Sequence, residues 1–432
     1  MNIAPQGLHA PRIAVIGGGI SGMGAAYALA DSQNVTLYEA EPRLGGHART
    51  VIAGKAGTQP VDTGFIVFNY ANYPNMAQLF DALNVPVVKS NMSFGASLSG
   101  GRIEYGLANF NAIFAQKRNI ANPNFLRMLR DILKFNARGL NLAQDPTMTI
   151  SELLQQLGSG PWFRDYYLLP LSGAIWSTPT EKILDFPARA MLQFFENHAL
   201  LCHTGQHQWY TVQGGSREYV RRLEAALVDR GVGVRVKTPV SSVIRHDREI
   251  EIRSAGHAPE YFDEVVFATH SDDSLRLLAD PSAFEAEALG AVKYQPNNIT
   301  LHCDERIMPK RRACWSSWVY TETDDKTSDQ IDLTYWMNSL QLIPLDDPLF
   351  VTLNSTRPIR EDKIYDQVTL RHPVYDLSAL AAQEKIATRN GTNRTWFCGA
   401  WMKNGFHEDG LSSGLDVAQS IILKSALAVA AE

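Results

Sequence analysis

Three glycines and an acid carry the clearest chemistry in this sequence: Gly17-x-Gly19-x-x-Gly22, then Glu39. A glycine in the first place permits a tight turn, the second lets a pyrophosphate reach the backbone, and the third lets a helix pack closely on a sheet. The N–H groups of Ile20 and Ser21, at the head of that helix, would then point at phosphate oxygens. Glu39 stands where a carboxylate accepts the hydroxyls of an adenosine ribose. Glycines also cluster in ordinary turns, so the flanking elements decide. Residues 13–16 are an apolar run suited to a buried parallel strand, the small-residue stretch 23–30 suits a helix, and residues 35–38 suit a second strand ending at Glu39. Strand, glycine turn, helix, strand and acid, in that order, point to a dinucleotide site.

Composition bounds the rest. At 432 residues the chain exceeds one typical core, and two associated domains are expected. With 45% hydrophobic and 20% charged residues and a net charge of -5, it has a globular balance and no general affinity for nucleic acid. Cys202, Cys303, Cys314 and Cys398 lack metal spacing, and His302 and His372 lack companion acids, so reduced thiols and no metal are expected. No cationic segment leads into an apolar one near the start, and no apolar run reaches the length of a membrane span. A cytoplasmic protein is the expectation.

Just past the second strand, Glu39-Ala40-x-x-x-x-Gly45-Gly46 resembles the signature of the FAD-containing amine oxidase superfamily, which includes monoamine and polyamine oxidases, protoporphyrinogen oxidase and carotenoid desaturases. Other segments resemble that family in the same order: Asp62-Thr63-Gly64-Phe65, the glycine pair Gly214-Gly215, the DEVVFATH run ending at His270, and Gly399-Ala400 followed by residues 405–414. The resemblance implies an α/β fold: a Rossmann-type FAD-binding domain of the glutathione-reductase kind with an interleaved α+β substrate domain. It divides the chain into FAD-binding segments 11–90, 206–290 and 391–432, and substrate segments 91–205 and 291–390. It assigns to FAD the residues Gly17, Gly19, Ile20, Ser21, Gly22, Glu39, Ala40, Gly45, Gly46, His47, Ala48, Asp62, Thr63, Gly64, Phe65, Val240, Thr269, Gly399, Ala400, Gly410, Leu411 and Ser412.

Departures from the family pattern carry information of their own. Cys398 lies inside a strand, ahead of the closing motif, and does not match the cysteine that holds covalent flavin in monoamine oxidases. Noncovalent FAD is therefore implied. The arginine that commonly follows the glycine pair is displaced, and His47 takes its place near the flavin. The approach to the closing motif carries Trp401 and His407 where a paired-tyrosine amine cage would stand. His47 and His407 are accordingly the candidate catalytic bases, with Glu408 and Asp409 as orienting acids and His270 as a third candidate base.

At finer grain the chain resembles a bacterial subfamily described as predicted NAD/FAD-binding proteins, through residues 168–177, 302–318, 335–341 and 405–414. Members include a flavoprotein desaturase acting on methyl-branched phospholipid acyl chains in furan fatty-acid formation. That implies a lipid substrate, with dioxygen or another acceptor taking the electrons. Residues 107–142 hold the cations Lys117, Arg118, Arg127, Arg130, Lys134 and Arg138 against the single acid Asp131, with Phe, Leu and Met at helical spacing. Such helices suit an anionic bilayer interface, here the inner face of the cell membrane; the alternative is that their apolar side packs on the substrate domain. The aromatic residues Trp315, Trp318, Tyr320, Tyr335 and Trp336 are expected to wall a cavity, and a final helix is expected over 415–427. Competing readings are an amine or amino-acid oxidase and a non-catalytic flavoprotein partner of a lipid-modifying enzyme. Homo-oligomerisation is left open.

Overall fold

A computed structural model describes residues 10–176, 180–197, 200–201, 207–324 and 331–431. Cys202 and residue 177, the last of the segment 168–177, lie outside the described residues.

Five strands form a parallel sheet in the order Gly233–Arg235, Asn34–Tyr38, Arg12–Ile16, Glu264–Phe267, Thr395–Phe397. Ile13, Ala14 and Val15 in the middle strand are fully buried, as a strand covered on both faces requires. Ile13 and Val15 pack with helices Ile20–Leu29, Arg217–Asp229 and His407–Ala431. Ala14 and Ile16 face the other way, onto helices Ala283–Ala291 and Leu377–Arg389 and the antiparallel strands Val240–Arg245, Ile250–Ser254 and Glu260–Phe262.

A second, seven-stranded sheet runs Ile364–Val374, Lys293–His302, Phe350–Leu353, Asp332–Trp336, Trp318–Thr321, Phe94–Leu98, Ile103–Gly106. Its pairings are antiparallel except that Trp318–Thr321 lies parallel to Phe94–Leu98, the join between its early and late segments. Helices Pro123–Leu142, Ile150–Leu157, Leu169–Trp176 and Ala188–Asn197 share a core with it. At the start of the second of these, the Thr149 side chain and Glu152 form a reciprocal capping box.

Two expectations change. The aromatic wall is divided by the two-residue period of strands. Trp318, Tyr320 and Tyr335 join the large core, whereas Trp315 and Trp336 pack on the other face with Val319 and Phe350. The final helix starts at His407, well before residue 415. Its early glycines signal close packing rather than a loop, since a Cβ on Gly414 would fall 2.3 Å from the Ser21 carbonyl oxygen and one on Gly410 3.0 Å from Ile20 and Ser21. The basic helix turns Phe125, Met128, Ile132 and Phe135 into the core and leaves Leu126 and Leu133 exposed. No helix among the described residues is long and apolar enough to cross a membrane.

Candidate active site

The glycine turn makes a cradle. Gly17, at φ +107, donates its N–H to the Tyr38 carbonyl at 2.8 Å and turns the chain off the central strand. A Cβ on Gly22 would stand 1.9 Å from the Gly17 carbonyl oxygen, so the helix can lie this close only with glycine there. Gly19 has nothing within 4 Å of an added Cβ, and as N-cap of Ile20–Leu29 it offers no side chain to the free N–H groups of the first turn. Gly45 bonds back to the Gly18 carbonyl at 2.8 Å, which sets Gly46 beside Gly19. Unshielded helix N–H groups beneath an unobstructed glycine suit a pyrophosphate.

Glu39 receives Gly18 N on one oxygen at 2.7 Å and Glu41 N on the other at 2.8 Å. Each oxygen keeps a lone pair for a ribose hydroxyl. Thr238 N and Lys237 N bond to the Glu39 and Glu41 carbonyls, which carries the chain from there to Val240 at the head of the next strand. Ala40 is exposed beside the acid, while Ala48 is buried and closes the glycine-pair turn onto the Gly45 carbonyl.

Asp62 is a structural knot rather than an acid catalyst. Fully buried, it accepts from Thr50 Oγ1 at 2.6 Å, Ser216 N and Oγ at 2.8 Å, and Gln341 Nε2 at 2.9 Å. Burial pushes its carboxyl up to about 6 against the pull of those donors. Thr63 accepts from Arg49, and a Cβ on Gly64 would strike the His47 carbonyl oxygen at 1.9 Å. Phe65 N bonds to that same carbonyl. The segment 62–65 thus holds His47 by its backbone.

Two groups of histidines follow. The His47 Nε2 lies 3.1 Å from the Arg371 carbonyl, which can only accept, so Nε2 carries the proton and Nδ1 keeps its lone pair. His47 also lies 5.7 Å from His270 and 5.5 Å from His372, ring centre to ring centre. The tautomer of His372 follows from its neighbours. Asn354 Nδ2 donates to Asn297 Oδ1 at 2.7 Å, leaving Asn297 Nδ2 to donate to His372 Nδ1 at 2.7 Å. Burial lowers all three imidazoles, His270 and His372 to about 3, and keeps them neutral.

His407 stands in the second group, stacked on Phe65 at 4.1 Å and 2.5 Å from the Tyr219 hydroxyl. Burial, with a smaller contribution from His47, lowers it to about 3. The expected acids do not orient it. Glu408 instead caps helix Pro74–Ala82, taking Asn75 N at 3.0 Å, Asn75 Nδ2 at 2.6 Å and Met76 N at 2.9 Å. Asp409 takes Phe406 N at 2.9 Å, and burial pushes it up to about 6.

At the closing motif, Gly399 N donates to Ser413 Oγ at 2.9 Å, and Trp401 Nε1 donates to the Thr269 carbonyl at 3.0 Å. A Cβ on Gly399, at φ +153, would strike the Trp401 ring at 2.4 Å, so only glycine fits there. Leu411 is buried against Gly24, Gly410 faces Ile20 and Ser21, and Ser412 Oγ receives Lys403 Nζ. Gly410 and Leu411 thus meet helix Ile20–Leu29, and Ser412 meets the segment leading into its own helix.

Arg43, Tyr219, Tyr294, Arg371 and His372 had no signal in spacing. Arg43 braces the glycine pair through the carbonyls of Leu44, Gly46 and Ala48. Arg371 bonds to Asp272 and Asp273. Those two acids and His270 are the one group among the described residues with the spacing to hold a cation, and Arg371 already neutralises its carboxylates.

The model for flavin containing amine oxidoreductases matches residues 20–396. The chain belongs to that family. It is an FAD-dependent oxidoreductase with the amine-oxidase fold. Similar solved structures include a redesigned putrescine oxidase (15% identity, TM-score 0.70, 96% of this chain and 99% of that one). A cyclohexylamine oxidase from Brevibacterium oxydans is also similar (15%, 0.69, 96% and 100%). So is a CLA-producing fatty acid isomerase from P. acnes (14%, 0.66, 95% and 98%). No curated protein matches. At these identities the neighbours speak for the fold alone.

Proposed function

We propose that this family member is a desaturase that introduces a double bond into a methyl-branched phospholipid acyl chain, with FAD held noncovalently. The observation that carries the reading is the surroundings of His407. The preceding residue, Phe406, stacks on Phe194 at 4.9 Å, and Phe194 meets Trp176 at 4.9 Å. Trp176 continues to Phe186 at 5.5 Å. An aromatic wall of this kind suits a hydrocarbon chain, and the acids nearest His270 are already paired with Arg371. Cys398 is buried just past the end of strand Thr395–Phe397, where burial pushes the thiol up to about 12, which supports noncovalent retention.

FAD, when bound, supplies the acceptor for a hydride leaving one acyl carbon. His47 Nδ1 takes the proton from the adjacent carbon, so both electrons of that C–H bond form the new double bond. The Arg371 carbonyl holds the imidazole by its Nε2–H throughout and steadies the cation that protonation creates. His407 is the second candidate base, positioned by Tyr219 and Phe65. Dioxygen or another oxidant completes turnover.

One observation favours amine oxidation as the competing reading. Asp409 is a half-buried carboxyl next to the residue that stacks on the aromatic wall, and it could receive an ammonium. The fold accommodates amine oxidases and a fatty acid isomerase alike and does not choose. Anaerobic mixing of purified holoenzyme with methyl-branched phospholipid in detergent is expected to bleach the flavin, and cells holding the enzyme should show acyl chains two hydrogens lighter. Bleaching by primary amines and not by the phospholipid would overturn the reading.

A further inference from the structure

We infer that the face built by residues 110–142 docks this protein on an anionic lipid bilayer, with Lys134 and Arg138 seating headgroup phosphate. The inference deepens the acyl-lipid reading and rests on it for the reason the protein visits a membrane. Its evidence is separate: side chains that the fold leaves outside.

Helix Pro123–Leu142 spends one side on the core, yet its outward side is not purely polar. Leu126 and Leu133, two turns apart on one stripe, are 43% and 52% exposed, and Arg130 lies between them. Beside the head of the helix Phe110 is 79% exposed and Ile120 56%. Phe110 stacks on Phe114 at 6.4 Å, and Phe114 meets Phe125 at 6.1 Å, so the exposed ring is continuous with the helix. Large apolar groups grouped on a surface mark an interaction site.

Charge identifies the partner. Lys117, Arg118, Arg127, Arg130 and Arg138 are exposed among those apolar groups. The stretch has one acid, the buried Asp131, which accepts Gly160 N at 2.9 Å and pairs with Arg130 at 3.1 Å and Arg127 at 3.7 Å, so a single carboxylate stands against six cations. A cleft of about 300 Å³ opens where the later half of this helix meets Ile150–Leu157. Lys134, Arg138, Asn141 and Gln156 supply its polar lining, with Leu142 and Leu157 beside them. Cations and amides over leucine match a phosphate above an acyl chain. The same helix reaches the candidate active site through aromatic contacts: Phe135 to Phe195 at 6.5 Å, Phe195 to Phe194 at 6.4 Å, then Phe406 next to His407.

Sedimentation of the holoenzyme with vesicles tests the proposal. Binding is expected to phosphatidylglycerol vesicles and to be lost on pure phosphatidylcholine. Arg127→Gln with Arg130→Gln, and separately Lys134→Gln with Arg138→Gln, should each weaken binding roughly 30-fold at about 1 kcal/mol per cation. Leu126→Ser with Leu133→Ser should abolish it, with flavin content unchanged as the folding control. Independently of those variants, Phe110→Trp should shift its emission to the blue on vesicles. Equal binding by all variants, an unshifted Trp, or release by millimolar inorganic phosphate would overturn docking and leave a free-anion or acidic-protein site instead. If vesicles bind but phospholipid in detergent fails to bleach the flavin, docking stands and desaturation falls; bleaching without vesicle binding gives the reverse.

Discussion

The parallel-sheet half and the helical layer on the seven-stranded sheet are held in place by different things. Around Gly17, Gly22, Gly45, Gly64 and Gly399 backbone meets backbone or a rigid ring, and the space for one carbon atom decides whether the chain can take its path. In the helical layer Phe125, Phe135, Phe163 and Phe195 fill a core that other large apolar residues could also fill. Where the backbone is the constraint, one residue type fits; where volume is the constraint, many do. The cofactor half is therefore rigidly specified, and the substrate half is where members of one family can differ.

The largest effect should come from testing that constraint directly. Gly22→Ala forces a carbon into the Gly17 carbonyl and should destabilise by about 3 kcal/mol or more, with no flavin retained after gel filtration. Gly19→Ala is its counterpart. It meets nothing within 4 Å, so the melting temperature of the flavin-free protein should hold while flavin affinity falls at least tenfold. Full flavin retention by Gly19→Ala would move the phosphate cradle elsewhere.

Acid should separate the halves next. His407 has its folded pKa lowered from 6.5 to about 3. Such a group contributes stability that is complete above pH 6.5 and is lost as pH falls toward about 3. His407→Gln should remove a few kcal/mol of that acid dependence, seen as a shallower decline of urea stability between pH 6.5 and 4. An unchanged slope would mean that the imidazole is not held neutral.

Glu408→Ala tests a cap against a catalytic acid. Leaving Asn75 N and Met76 N without their acceptor should cost about 2 kcal/mol and leave the rate of flavin reduction unaltered. A large fall in that rate would restore Glu408 to the chemistry. The smallest effect is expected between the halves. Arg49 and Asp366 form a two-pronged bridge at 2.6 and 3.0 Å, each about a fifth exposed, and a double-mutant cycle should yield about 1 kcal/mol of coupling.

What the sequence revealed follows the same division. The glycine turn, Glu39, the pair at 45–46 and the glycines at 399 and 405–414 could be placed because a missing side chain has few physical explanations. Even there, the helix expected from 415 leaves out the glycines at 410 and 414, because close helix packing needs the same residue as a turn. His372 was illegible because it acts through a partner far away in the chain, Asn297, across the pairing of Ile364–Val374 with Lys293–His302. That strand lies at the sheet edge, half exposed along most of its length and with Pro373 near its end, so it lacks the apolar alternation of an inner strand. Trp315 and Trp336 are aromatic in the right region but pack away from the large core: Trp336 follows Tyr335 in one strand and so points to the opposite face, a distinction only strand register can supply.

The contact between helix Ile20–Leu29 and helix His407–Ala431 also governs timing during synthesis. The glycine cradle leaves the ribosome first, yet Ser21 meets Gly414, and Gly24 meets Leu411, only after almost four hundred further residues have been added. At about 5–20 residues per second, that is an interval of tens of seconds. Throughout it the nascent strand-turn-helix has no neighbour on its outer side. Flavin captured in that interval would be held by half of its cradle, so lasting incorporation is an event of the finished chain, and a ribosome stalled before residue 395 would carry a chain unable to keep its cofactor.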